Sequence, residues 1–218
     1  MDGSLVSGDK RGQQWDAAYE NRGATGVSWF QPNATTSIEL VERLAIPNDA
    51  AVIDIGGGAS LLVDALADRG FRDLTVLDVS KTALEMVRER RSGSSGPIAL
   101  LHEDVLGWKP DRRFDLWHDR AVFHFLVNGN DRETFLGTLR SALRPGGIVI
   151  MATFAIDGPE FCSGLPVARY SPADLAEILG PDFEVVEQFR EEHNTPAGVV
   201  QPFTWLAARN SGAVDAAR

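Results

Sequence analysis

Three aspartates and a run of glycines are the residues whose types and spacing could do chemistry. Asp54-Ile55-Gly56-Gly57-Gly58-Ala59-Ser60 follows a β-branched run, Asp78 comes 24 residues after Asp54, and Asp104 sits in Leu101-His102-Glu103-Asp104-Val105. Glycines after a strand let the backbone approach a ligand and take positive φ. The helix start beyond them favours a carboxylate or phosphate. An acid about twenty residues further on is placed to accept from ribose hydroxyls. The spacing excludes two phosphate-binding turns. A nicotinamide-type G-x-G-x-x-G needs glycine where Leu61 stands, and no Gly-Lys-Ser/Thr follows for a P-loop.

A second cluster lies in Trp117-His118-Asp119-Arg120-Ala121-Val122-Phe123-His124-Phe125, where two of the 4 histidines, an acid and an arginine fall close together. Histidine titrates near neutrality and is the usual proton acceptor there; arginine reads a carboxylate through paired donors. The plainer alternative is a surface or capping His118 with a local Asp119–Arg120 ion pair. Against it, His118, Arg120 and His124 sit among large apolar residues, where an unpartnered charge is costly. Asp157-Gly158-Pro159-Glu160-Phe161-Cys162 and Glu191-Glu192-His193-Asn194-Thr195-Pro196 are expected to reach the same rim. Cys162 and His193 would then join His118 and His124 around one pocket. Their spacing fits no zinc pattern, so no metal is expected.

Alternating elements must position these groups. Ala51–Ile55 predicts a strand ending at the glycines, and Leu61, Leu62, Ala65 and Leu66 recur at helical spacing until Gly70. Leu74–Leu77 predicts the next strand, Ser80 an N-cap, and Ala83, Leu84 and Val87 the buried face of a helix. Strands are expected at Ile98–Leu101, Phe114–Trp117 and Ile148–Met151, the last preceded by a helix over Arg132–Leu143 and an Arg144-Pro145-Gly146-Gly147 break. Such alternation implies a parallel sheet with helices on both faces. The end differs: a helix from Ser171-Pro172 to Leu179, then strands Phe183–Phe189 and Val199–Ala207 with no crossover helix, which must pair antiparallel or leave the sheet.

This set of signals resembles the class I S-adenosylmethionine-dependent methyltransferases: Asp54 with Gly56-Gly57-Gly58, then Asp78, Asp104-Val105, the Arg-Pro-Gly-Gly turn and the closing hairpin. The resemblance implies a doubly wound, Rossmann-like α/β fold whose seven-stranded, mostly parallel sheet has its last strand antiparallel. It also implies S-adenosyl-L-methionine as cofactor. The glycine turn would pass under its methionine part, with Asp54 orienting turn and ligand. Asp78 and Val79 would hold the ribose side, Asp104 and Val105 would flank the adenine, and His118 would border the site. Trp15-Asp16-Ala17-Ala18-Tyr19 and Val27-Ser28-Trp29-Phe30 are similar to the opening of the thiopurine and elongation-factor lysine methyltransferase groups. There this segment covers the cofactor, which puts Trp15, Tyr19 and Trp29 at the site. The lysine group's Asp-Lys-Gly-Thr-like run is matched here only at Asp119. The Asn-Pro-Pro-Tyr and Pro-Cys motifs of nucleic-acid methyltransferases are absent.

Composition narrows the partners. With 21 basic and 31 acidic side chains the formal charge is −10, which disfavours nucleic acid and anionic membrane surfaces. One cysteine forms no internal disulfide, and Met1–Gly12 lacks a signal peptide's apolar stretch, so a cytoplasmic setting is expected. The organisation expected is a flexible start over 1–11, a methyltransferase domain over 12–209 with a covering segment at 12–35, and a flexible tail over 210–218. The expected activity is methyl transfer to a small-molecule O, N or S/Se nucleophile. His118 or His124 would be the base, with Asp119, Arg120 and His193 completing the catalytic set. A basic protein methylated at lysine is the alternative acceptor, and cofactor binding without catalysis is the alternative of another class.

Overall fold

Ala51–Ile55 form strand β1, buried along its whole length, as a strand covered by helices on both faces must be. The computed structural model describes residues 8–93, 96 and 98–212. In chain order it gives α1 (Gly8–Arg22), α2 (Thr35–Arg43), β1, α3 (Leu62–Asp68), β2 (Asp73–Asp78), α4 (Lys81–Arg90), β3 (Ile98–His102) and β4 (Phe114–Arg120). A single 3-10 turn at Phe123–Phe125 leads to α5 (Gly129–Ala142), β5 (Leu143–Phe154), the two-residue strands β6 (Phe161–Cys162) and β7 (Leu165–Pro166), α6 (Pro172–Leu179), β8 (Phe183–Asn194) and β9 (Val200–Asn210).

The main sheet has seven strands in the order β3-β2-β1-β4-β5-β9-β8. β3, β2, β1, β4 and β5 are parallel to one another, and β9 runs antiparallel between β5 and β8. One face carries Val52, Leu116, Ile148 and Ile150 against Ile38, Val41, Leu62 and Leu66 of α2 and α3. The other sets Ile53, Trp117, Val149 and Met151 against Phe135, Leu139, Leu175 and Leu179 of α5 and α6. Burying a side chain of this size contributes roughly 1.5–3 kcal/mol, so alternate residues of each central strand anchor opposite helical layers.

Local rules account for most of the boundaries. Ser80 caps α4 by accepting from the Ala83 N–H, and Ser171 with Asp174 makes a reciprocal capping box ahead of Pro172. Four features depart from the sequence expectation. α2 was not anticipated, although Pro32 and Pro47 bracket an Ile38/Val41 pair at helical spacing. α1 begins at Gly8, inside the stretch expected to be flexible, because Arg11 is tied to Asp104. β5 begins at Leu143 directly after α5, with an irregular register against Phe114–Leu116 and Gly146 at φ +79° accommodating the turn. β8 and β9 run to Asn194 and Asn210, well past the expected ends, because they pair with each other nearly throughout. The start over 1–7 and the tail over 213–218 lie outside the described residues.

Candidate active site

The parallel pairing of β1 with β4 sets Asp54 beside His118, so both side chains leave the same face of the sheet. Nδ1 of His118 donates to Asp54 Oδ1 at 2.7 Å, and its Nε2 meets the Ser37 hydroxyl of α2 at 3.0 Å. The glycine turn follows. Gly56 and Gly58 have φ of +59° and +51°, and a Cβ on either would overlap Val122 or the Tyr19 hydroxyl. Here the positive φ and the close approach are both requirements for glycine.

The acids at the ends of β2 and β3 are held by backbone donors. Asp78 Oδ1 accepts from the Ser80 N–H at 2.7 Å. Burial pushes its carboxyl up to about 6, opposed by the Ser80 and Gly58 N–H groups. Asp104 Oδ1 accepts from the Leu106 N–H at 3.0 Å, while Oδ2 pairs with Arg11 Nη2 at 2.7 Å and Nε at 3.0 Å.

Arg11, Trp15 and Tyr19, spaced four apart on α1, form one helical stripe facing this edge. Asp16 reaches α4, its Oδ1 accepting from Ser80 Oγ at 2.7 Å and the Thr82 N–H at 2.9 Å. The Tyr19 hydroxyl accepts from Trp29 Nε1 at 3.2 Å and the Ala59 N–H at 3.4 Å. Burial, then the charge of Asp78, raises the Tyr19 phenol above its ordinary range. Trp15 stands edge-on to Trp29 at 5.4 Å and to Phe125 at 5.0 Å. Two further ties come from the far side: Arg120 Nη1 donates to the Trp29 carbonyl at 3.0 Å and His193 Nε2 to the Ser28 carbonyl at 2.9 Å.

Beneath this cover lie two adjoining rooms. The larger, about 850 Å³ including its mouth, is lined by Trp15, Tyr19, Trp29, Gly56, Asp78, Val79, Asp104, Val105, Arg120 and Cys162, together with Arg11, Val122 and Phe125. The smaller is the more polar of the two, with Gln31, Ser37, Asp54, Gly57, Ser60 and His118 in its lining beside Val27, Phe30 and Ala34. Tyr19, Trp29, Gly56 and Arg120 border both. Gly58 borders neither and is covered by Tyr19. The larger room offers what an adenosine sulfonium needs: a buried carboxylate acceptor, apolar slots around Val79 and Val105, and aromatic faces that attract a cation. The residues present therefore fit S-adenosyl-L-methionine.

The expected ring of His118, His124, His193 and Cys162 around one pocket does not form. His118 borders the smaller room, with both ring nitrogens engaged. His124 is sealed between Phe125 and Phe154, at centroid distances of 4.5 and 4.7 Å, and its Nδ1 accepts from the Phe154 N–H at 3.4 Å. Burial, then the Arg120 charge, drives it down to about 3. Asp119 makes no pair with Arg120; it turns inward to accept from the Val122 N–H at 2.9 Å and the Phe123 N–H at 3.1 Å, closing the 3-10 turn. Burial raises its carboxyl to about 7. His193 is spent on Ser28, its pKa lowered by burial and by Arg120. Among the described residues no group of three or more His, Cys, Asp or Glu side chains could hold a metal ion.

Arg120 is left incomplete. Its guanidinium lies 4.8 Å over the Phe203 ring, and its Nε and Nη2 are buried without a hydrogen-bond partner. Burial lowers it to about 10, so it stays charged at neutral pH. Sequence reasoning missed Arg11, Ser37 and Val122. The i, i+4, i+8 spacing of Arg11, Trp15 and Tyr19 was a legible signal for the first; the other two depend on how α2 and the turn after β4 fold back.

Residues 52–147 match a family described as a methyltransferase domain. The chain is 33% identical over 194 residues to EEF1A lysine methyltransferase 2 of Mus musculus, covering 81% of this chain and 72% of that protein. It is 27% identical over 187 residues to thiocyanate methyltransferase 1 of Arabidopsis thaliana, covering 84% and 78%. The crystal structure of Burkholderia thailandensis 1,6-didemethyltoxoflavin-N1-methyltransferase, with 1,6-didemethyltoxoflavin and S-adenosylhomocysteine bound, superposes with a TM-score of 0.70 at 18% identity, over 97% of this chain and 93% of that one.

Proposed function

The chain belongs to the class I S-adenosylmethionine-dependent methyltransferases, and from that premise we propose that its methyl acceptor is a small molecule taken up beneath the α1–α2 cover. The protein is an S-adenosyl-L-methionine-dependent methyltransferase. Bound S-adenosylmethionine supplies an electrophilic methyl group on a sulfonium, so most of the rate can come from holding two reactants in line.

In this reading Asp78 takes the ribose hydroxyls and Val79, Val105 and Leu106 enclose the adenine. Asp54 and the glycine turn sit below the methionine part, and Trp15, Tyr19 and Trp29 close over it. Asp54 is aimed by His118, which acts here as a positioning residue. The observation that carries a small acceptor is the roof: Trp15, Trp29 and Phe125 interlock edge to face above the larger room, and α1 is tied down by Arg11 and Asp16. A covered, largely apolar room with an aromatic roof suits a compact acceptor and excludes water. The single cysteine, a free buried thiol, suits a reducing compartment such as the cytoplasm.

The test is turnover of S-adenosylmethionine to S-adenosylhomocysteine across small thiols, carboxylates and nitrogen heterocycles, run beside basic proteins. Turnover with small acceptors alone supports the reading. Labelled methyl groups found on protein lysines instead would establish the second reading, which the identity to lysine methyltransferases favours. Cofactor binding with no turnover of any acceptor would leave a binding protein.

A further inference from the structure

Resting on the small-acceptor reading, we propose that the acceptor is an anion, a small thiolate, carboxylate or pseudohalide ion, that arrives already deprotonated and is held by Arg120.

Two independent observations lead there. The first is the unfinished coordination of Arg120. It borders both rooms and commits Nη1 to a carbonyl of the cover, while Nε and Nη2 have no partner and no solvent. The carboxylates whose charge it feels are occupied elsewhere. Glu191 accepts from Thr36 at 2.6 Å and Trp205 at 2.7 Å, and Asp54 from His118. Among the described residues no acid lies within ion-pair distance of it. A buried guanidinium with unspent donors is costly to maintain. Its planar fork matches a carboxylate, and its weak hydration suits soft anions.

The second is the lack of a free base at the larger room. His118 is engaged at both nitrogens, His124 is sealed away, Asp119 is turned into the 3-10 turn, and His193 is tied to Ser28. Asp78 and Asp104 face the expected cofactor end. The Cys162 thiol and Tyr19 phenol border the room, but burial favours their neutral forms. An acceptor needing a proton removed would find no group to take it. An anion needs none. Its lone pair forms the bond to the methyl carbon as the carbon–sulfur bond breaks, with that electron pair remaining on sulfur. The negative and sulfonium charges cancel, and no proton is released. A lysine ammonium would face the opposite conditions: a charge repelled by Arg120 and a proton to shed.

The experiment measures both turnover and binding with thiocyanate, thiophenol and benzoate, against 1-methylimidazole and N-acetyl-lysine methyl ester. The expected result is turnover of at least one of the three anions, with a rate that rises through that acceptor's own ionisation and then stays level. Arg120→Met should lower its kcat/KM on the order of 100-fold and abolish its heat of binding to the S-adenosylhomocysteine complex. Arg120→Lys should restore part of both. Removing an unpaired buried charge should leave the melting temperature unchanged or higher, so a loss can be separated from misfolding. Preference for 1-methylimidazole or for the cationic N-acetyl-lysine methyl ester, or an unchanged kcat/KM in Arg120→Met, overturns the proposal and leaves the small-acceptor reading standing. So does a variant that loses S-adenosylhomocysteine affinity at an unaltered acceptor KM, which would assign Arg120 to the cofactor's carboxylate. Absence of turnover and of binding with every small acceptor overturns both.

Discussion

The two halves of the sheet's carboxyl edge are built on opposite principles. At the ends of β1, β2 and β3 three acids are already partnered: Asp54 by His118, Asp78 by the Ser80 N–H, Asp104 by Arg11 and the Leu106 N–H. At the end of β4 the one cation, Arg120, keeps two donors unpartnered. A half whose ligand is always the same can be preorganised by local backbone donors. A half that must recognise an acceptor keeps its polar capacity for that acceptor, at a standing cost in stability.

The largest test of this contrast is Asp78→Ala. On the finished side, loss of the ribose acceptor should weaken S-adenosylhomocysteine binding about 100-fold, as expected for a hydrogen bond to a charged group, measured by calorimetry. An unaltered dissociation constant would place the ribose elsewhere. Acidification probes the same edge through Asp119. Its folded pKa, raised to about 7 by burial, means the native state binds this proton more tightly than the unfolded chain. Its contribution is fully present below about pH 4 and is lost as pH rises through 7. Relative to Asp119→Asn, the wild-type protein should lose roughly 2–4 kcal/mol between pH 4 and pH 8 in urea unfolding. A flat difference would mean the carboxyl is not sealed.

Trp29→Ala should raise the cofactor dissociation constant about tenfold by removing an aromatic wall together with the Tyr19 bond, read by the same calorimetry. Arg11→Ala should cost only two- to fivefold, and less at high salt, since its pair with Asp104 is partly solvated. His124→Phe is the smallest: kcat/KM should stay within twofold, because a neutral ring enclosed by Phe125 and Phe154 takes no proton. A hundredfold loss there would restore His124 as the base.

The sequence carried the finished half more clearly than the unfinished one, for a physical reason. Asp54, Gly56, Asp78 and Asp104 lie where a strand ends, so local spacing reveals them. The fate of His118 depends on the parallel register of β1 and β4, and that of His124 on where Phe154 lies in a strand thirty residues later. In one dimension Asp119 and Arg120 read as two members of one catalytic set, with a local ion pair as the plainer alternative. Neighbouring residues on a strand point to opposite faces, and the structure sends one carboxylate into a turn while the guanidinium stays by the rooms. α2 was hidden because its β-branched start, Thr35-Thr36, favours helix poorly and its stability comes from packing Ile38 and Val41 on the sheet.

The bond from Asp16 to Ser80 and Thr82 has one more consequence. The first turn of α4 takes a hydrogen-bond acceptor from another helix, so any lifting of α1 would deprive the amino end of α4 of that partner, next to the Asp78–Ser80 loop. If Asp78 holds the ribose as proposed, lifting of α1 would be coupled to the strength of that hold. By reciprocity, whatever free energy a bound nucleoside gains from a lowered α1 must reappear as added resistance of α1 to proteases and to amide exchange. Asp16→Ala would weaken that coupling: the ligand would still bind, and α1 would register its presence only through Arg11, Trp15 and Tyr19.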